Sequence, residues 1–297
     1  MYLFKKIVLR EQPGRIRTCA TGHWTTACAA YLSLDSSKNL MILNETTAEL
    51  CGIILGDGNL HKTYNRITIS GSSDDLFYFR NHVIPLFRNC FRVVNPRIVR
   101  MKGKPAYNLE IENREIFQFF ITVFDLKRGP KDNARVPSVV SSSSALIPHF
   151  LRGLFDTDGC LKFSKQARSY SYYPRIKIAL ASSPLAHQLG FLFAEAGFTA
   201  CKNVRPNHGY KTTRDLVAYE ISGQKALERW MHVVRPANPV QTAKYVYWKK
   251  FGRHVPNMSF SERVLRIGLG GFEPPSQESE SRILDRYTTG LYTQKNA

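Results

Sequence analysis

Leu50-Cys51-Gly52-Ile53-Ile54-Leu55-Gly56-Asp57-Gly58 and Leu151-Arg152-Gly153-Leu154-Phe155-Asp156-Thr157-Asp158-Gly159 align without a gap, one in each half of the chain. Each is a helical apolar run with a glycine in its middle and Asp-Gly at its end. A mid-helix glycine costs about 1 kcal/mol relative to alanine, so two at matched places point to backbones that must approach closely. A carboxylate in a last helical turn meets the negative end of the helix dipole, unfavourable by roughly 0.3–1 kcal/mol. Finding both costs twice suggests two helices packed side by side through Gly52 and Gly153, delivering Asp57 and Asp158 to one spot.

The similarity runs on past these motifs. Arg66-Ile67-Thr68-Ile69 corresponds to Arg175-Ile176-Lys177-Ile178, and Leu109-Glu110-Ile111 to Tyr219-Glu220-Ile221. Phe117 and Phe120 recur at helical spacing as Leu227 and Trp230. A whole unit is therefore duplicated, and each copy reads as helix, two strands, helix, two strands, helix. In the first copy strands are expected near 59–70 and 91–112, with helices near 73–88 and 114–124. Ile67, Ile69, Ile176 and Ile178 point one way from their strands, and Arg66, Thr68, Arg175 and Lys177 the other, which gives half-buried sheets with a basic outer face. Thr46 and Glu49 read as a capping box for the first motif helix, and Pro148 suits the first turn of the second. The divisions expected are an N-terminal extension over 1–43, a first repeat over 44–130, a linker over 131–144, a second repeat over 145–252 and an irregular tail over 253–297.

Composition narrows the function. The 297 residues carry 42 Lys and Arg against 23 Asp and Glu, a formal charge of +19. Residues 44–251 hold 30 of those bases and 16 of those acids, or +14, so the excess belongs to the repeats and not to a tail. A polyanion is the natural partner, nucleic acid before others. Six scattered cysteines, Cys19, Cys28, Cys51, Cys90, Cys160 and Cys201, form no C-x-x-C pair. That argues against a zinc module or a secreted disulfide framework and fits a reducing cytoplasm. The apolar run at Met1–Leu9 is too short for a signal peptide, and no stretch has the length of a membrane span. No Walker loop, H-E-x-x-H or G-x-S-x-G pattern offers a rival chemistry.

The paired motif, the copy Phe150 to Gly159 above all, resembles that of the LAGLIDADG homing endonucleases, over roughly residues 44–251. Gly129-Pro130-Lys131 and Asn238 to Tyr245 also look like family material. The resemblance implies an α+β fold in which two pseudo-symmetric αββαββα repeats form a saddle of antiparallel sheets over duplex DNA, around two central packed helices. It implies a monomeric, site-specific double-strand DNA endonuclease reading a long non-palindromic site. A non-cleaving intron RNA maturase or DNA-binding regulator on the same scaffold is the alternative.

Two carboxylates brought together cannot both stay ionised without a cation, and a hard divalent ion, Mg²⁺ best of all, satisfies them. The expected metal ligands are Asp57 and Asp158, with the main-chain carbonyls of Gly56 and Thr157 added by the resemblance. Asp156 has no acidic counterpart (Leu55 stands there) and is given no catalytic role. Lys131 falls where the family often places an active-site lysine. The second repeat departs from the pattern, with Val240 or Gln241 at that place and Lys244 slightly beyond. Arg66, Thr68, Arg100 and Lys102 in the first repeat, and Arg175, Lys177, Lys202 and Arg205 in the second, are the expected DNA contacts. Gly14 to Cys19 and Gly271 to Pro275 can both be encoded around TTCGAA, like the T-arm of transfer-RNA genes, and are expected to derive from flanking DNA.

Overall fold

A computed structural model describes residues 31–33, 40–91, 94–165, 172–206 and 214–269. A hairpin of β1 (Tyr31–Ser33) and β2 (Leu40–Ile42) leads into the first motif helix, α1 (Glu45–Leu55). Then follow β3 (Gly58–Leu60), β4 (Arg66–Ser72) and a helical stretch of three parts: α2 (Leu76–Tyr78), a π-helical turn (Phe79–Val83) and α3 (Ile84–Cys90). The repeat closes with β5 (Arg97–Arg100), β6 (Ala106–Glu112) and α4 (Arg114–Val123). After a single turn, α5 (Ser138–Ser141), the second motif helix α6 (Ile147–Asp158) begins the same order again. It continues with β7 (Gly159–Lys165), β8 (Tyr172–Ala181), α7 (Pro184–Glu195), β9 (Cys201–Arg205), β10 (Leu216–Ser222) and α8 (Gln224–Val233). Helices α9 (Pro239–Phe251) and α10 (Phe260–Leu269) end the described chain.

Both four-stranded sheets are antiparallel and share one strand order, β3-β4-β6-β5 and β7-β8-β10-β9. The α+β duplication read from the sequence is thus the fold. Alternation sets the faces. Ile67, Ile69, Leu109 and Ile111 are buried in the first sheet, and Ile176, Ile178, Val217 and Ile221 in the second. These side chains and the two motif helices belong to one continuous apolar core spanning both repeats. Arg66, Thr68, Arg175 and Lys177 stand on the other face of their strands, partly exposed.

Two expectations need correction. The cap of α1 is Asn44, whose Oδ1 accepts from Thr47 N at 2.9 Å while Thr47 Oγ1 accepts from Asn44 N at 2.9 Å. With Asn44 already extended, the helix starts two residues before the Thr46 reading, and Glu49 lies too far inside it to cap anything. The tail from 253 is not irregular throughout, because α10 buries Phe260, Val264 and Ile267 against Ala243 and Tyr247 of α9. Within the extension, Tyr31–Ser33 pairs antiparallel with Leu40–Ile42. The segments Gly14–Cys19 and Gly271–Pro275 lie outside the described residues. Among the described residues no helix is long and apolar enough to cross a membrane.

Candidate metal centre and nucleic-acid face

The motif helices touch along their backbones. A Cβ on Gly52 would collide with Phe150 O and stand 2.9 Å from Leu154 N; one on Gly153 would collide with Glu49 O and stand 2.8 Å from Ile53 N. Each glycine is therefore the socket for the other helix. Gly56 plays the same part at the helix ends, since a side chain there would run into the Thr157 hydroxyl and lie 3.2 Å from Asp158 Oδ2. Thr157 in turn donates back into its own helix, to Gly153 O at 3.0 Å or Leu154 O at 3.1 Å. The ends differ slightly: α1 stops at Leu55 with Gly56 as its cap, while α6 continues through Asp158.

This apposition brings the expected acids together. Although Asp57 reaches solvent, desolvation at the crowded helix ends pushes its carboxyl up to about 6, with the charge of Asp158 adding and that of Lys131 opposing. Asp158 is also raised, by burial, against the pull of Lys131. Lys131 completes the cluster. Its Nζ donates to Leu55 O at 3.0 Å and to Gly56 O. Burial lowers its pKa, and the charges of Asp158 and Asp57 act against that. The oxygens at this spot already gather one positive group, which is the chemistry a cation site needs. The donor set of two carboxylates and main-chain carbonyls suits a hard divalent ion, so the residues present fit the metal expected of them.

Lys244 is not in this cluster. Its Nζ donates to Gln241 Oε1 at 3.3 Å, and the groups acting on its charge are Cys160, Arg263 and Lys162, not the two aspartates. Gln241 accepts from Leu161 N at 3.0 Å and donates to Gly159 O at 3.4 Å, and the carbonyl matching Leu55 O, that of Asp156, is met by Asn238 Nδ2 at 2.8 Å. An amide in the first turn of α9 thus ties that helix to the start of β7.

Behind the acids lies a buried polar knot that motif reading did not find. Glu49, 2% exposed, meets His82 Nε2 at 2.5 Å and Arg152 Nη1 at 2.9 Å. Burial alone would raise the Glu49 carboxyl, but His82 and Arg152 bring it below its ordinary value. Asp156 accepts from Ala237 N at 2.9 Å, and burial pushes it up to about 7. The donor atoms of Glu49, His82 and Asp156 lie within 4.8 Å of one another. Arg152 already supplies the positive charge that Glu49 needs, so the knot is an inter-helix clamp and not a second metal centre. Asn238 extends it, donating to Asp156 O at 2.8 Å.

Of the expected nucleic-acid contacts, Arg66, Thr68, Arg175, Lys177 and Arg205 fall on the outward faces, whereas Arg100, opposite Tyr107, and Lys202, opposite the buried Tyr219, stand in the helix-side rows of their sheets. Arg66 and Thr68 lie on β4 with Arg100 at the end of β5 and Lys102 in the turn after it; Arg175 and Lys177 lie on β8, and Lys202 and Arg205 on β9. Arg100, Lys102, Lys202 and Arg205 are exposed. Lys202 Nζ rests 3.1 Å from His187 Nδ1. Arg66 and Arg175, by contrast, are paired with glutamates on the neighbouring strands.

Residues 146–231 match the family model of the LAGLIDADG-like domain. A curated relative, the replication factor C small subunit of Methanocaldococcus jannaschii, is 24% identical over 213 residues; the match takes in 66% of this chain and only 10% of that protein. Among solved structures, mesophilic variants of the homing endonuclease I-DmoI superpose at a TM-score of 0.45 and 16% identity, covering 64% of this chain and 95% of theirs. The N-terminal LAGLIDADG domain of DUF199/WhiA gives 0.40 and 19%, covering 64% of this chain and 80% of its own. The second repeat thus matches the model of the LAGLIDADG-like domain, and the first repeats its motif and strand order.

Proposed function

We propose that the protein is a site-specific, double-strand DNA endonuclease that hydrolyses phosphodiesters with Mg²⁺ held between Asp57 and Asp158, the main-chain carbonyls of Gly56 and Thr157 serving as further ligands. One observation carries this reading: two helix-end acids from different repeats converge where Gly52 and Gly153 let the backbones meet. A scaffold alone needs no such pair, because each acid raises the cost of ionising the other. When bound, the cation would acidify a water for attack and neutralise the departing oxygen. The two carboxylates orient it, and both must be ionised. Lys131 holds Leu55 O and Gly56 O in place and puts a positive charge beside the scissile phosphate. The two basic sheet faces position the duplex, with strands entering the major groove, where every base pair is distinguishable. Two non-identical halves on one monomeric chain suit a long non-palindromic site.

A second reading has one observation in its favour. The Lys131 ammonium already satisfies Gly56 O, as it would in a non-cleaving binder, an intron RNA maturase or a regulator, that needs no metal. Selection of cleaved sites from a randomised duplex library in Mg²⁺ separates the two. Recovery of one long asymmetric site supports the endonuclease; enrichment by binding with no cut ends supports the binder.

A further inference from the structure

Each sheet carries, at the same place on its outward face, an arginine paired diagonally with a glutamate, although the shorter contact of Arg66 is its hydrogen bond to Glu112. In the first, Arg66 of β4 lies 3.8 Å from Glu110 of β6 and 3.1 Å from Glu112. In the second, Arg175 of β8 lies 2.9 Å from Glu220 of β10. The pairs are equivalent by sequence and by register. Glu110 stands opposite Thr68 and Glu220 opposite Lys177, each two residues beyond its arginine, so both pairs cross the ladder diagonally. Both arginines also share a defect: Arg66 Nε and Arg175 Nε are buried with no hydrogen-bond partner among the described residues.

Folding does not explain this repetition. Partly exposed ion pairs contribute little to stability, and a buried orphan donor costs free energy. On a face turned toward phosphates, a carboxylate repels the ligand and takes charge away from the arginine that would otherwise hold the backbone. Base edges resolve the conflict. An ionised glutamate can only accept, and the amino group of cytosine N4 donates into the major groove; guanine O6 and N7 accept from arginine. O6 and N4 of one G·C pair are themselves hydrogen-bonded, about 2.9 Å apart, the spacing of guanidinium nitrogen and carboxylate oxygen in the Arg175–Glu220 pair, while the Arg66–Glu110 pair is wider at 3.8 Å. Adenine N6 also donates, but its base pair offers arginine no O6 and N7 together.

We infer that the Arg66–Glu110 and Arg175–Glu220 pairs are specificity determinants, each reading one G·C base pair, the arginine donating to guanine O6 and N7 and the glutamate accepting from cytosine N4. The inference rests on the reading of the protein as a DNA endonuclease, and it places a G·C pair at matched positions in the two halves of the target. The halves are not identical. Arg97 of β5 adds a second guanidinium, 3.5 Å from Glu110, whereas Cys201 of β9 faces Glu220.

The test is selection by binding from a randomised duplex library in Ca²⁺ without Mg²⁺, using the full chain as wild type, Glu110→Gln and Glu220→Gln, so that cutting is not required. The wild type is expected to fix two G·C pairs at mirror positions about the centre. Glu110→Gln should relax discrimination at one of them by roughly ten- to a hundredfold and leave the other unchanged, and Glu220→Gln should do the converse. Affinity for unselected DNA should hold or rise, since a negative charge is removed, which a merely structural glutamate would not produce. A wild-type consensus that neither variant alters, or a loss of affinity uniform over all sequences, overturns the inference and leaves DNA binding standing. No wild-type consensus at all overturns both.

Discussion

Gly52 and Gly153 each lie where the other helix's backbone passes, so that a Cβ on either would collide with a carbonyl oxygen of the opposite helix. Backbone cannot yield as a flexible side chain can. Gly52→Ala and Gly153→Ala should each destabilise the protein by about 3 kcal/mol or more, at the upper end of overpacking costs, despite gaining about 1 kcal/mol in helix propensity. Urea unfolding followed by circular dichroism measures this, and a net stabilisation would mean that the helices are not in contact there.

Asp57 titrates near 6 in the folded protein, above its ordinary 3.8. A raised carboxylate makes its relative contribution to stability in full below the unfolded value, and that contribution is lost as pH rises through the folded value. The metal-free wild type should therefore weaken between about pH 4 and 6. Asp57→Asn should be more stable than the wild type at pH 7 to 8, with the difference vanishing toward pH 4. Millimolar Mg²⁺ at pH 7.5 should raise the wild-type melting temperature and leave Asp57→Asn unmoved. Thermal melts across that pH range decide it; equal stability at every pH would show that neither burial nor Asp158 shifts the Asp57 carboxyl.

Glu49 and Arg152 join α1 to α6 inside the protein, where removing one partner strands a charge. Glu49→Met or Arg152→Met alone should cost about 3–5 kcal/mol, and the double substitution much less than the sum. A double-mutant cycle in urea gives the coupling directly. Additive losses would mean that the two side chains act separately.

Lys131 stands beside both helix-end acids while Lys244, its nearest basic candidate in the second repeat, is bonded to Gln241 instead, so the two strands should not be cut alike. A plasmid bearing the selected site should pass through a nicked circle before becoming linear. Lys131→Met should slow the first nick by roughly a hundredfold, within the range for a positioned charged or proton-transferring group, and Gln241→Lys should shorten the life of the nicked form. Simultaneous cutting of both strands by the wild type would contradict this asymmetry.

Much of the centre was legible because symmetry made it so. Gly52 with Gly153, and Asp57 with Asp158, are costly residues repeated in register, and repeated cost points to function. Lys131 rested on resemblance, and the structure brings its ammonium to the helix-end carbonyls. What stayed hidden depends on docking rather than on pattern. Gln241 was one of two residues that could stand at the place of Lys131, and only the seating of α9 on β7 gives its amide a role. Glu49 read as a helix cap because the ion pair that claims it lies on another helix, at Arg152. Asn44, the actual cap, was outweighed by the Thr46 and Glu49 spacing. Helix α10 escaped notice since its apolar positions pack on α9 alone and have no counterpart in the first repeat.

The most direct measurement is cleavage of a linear duplex carrying the selected site, with Mg²⁺ and with EDTA, by the wild type, Asp57→Asn and Asp158→Asn. Both strands should be cut by the wild type only when Mg²⁺ is present. Each asparagine variant should bind the duplex as well or better and cut it at least roughly a hundredfold more slowly. Undiminished cutting by either variant would contradict the assignment of the two aspartates as the metal-holding pair.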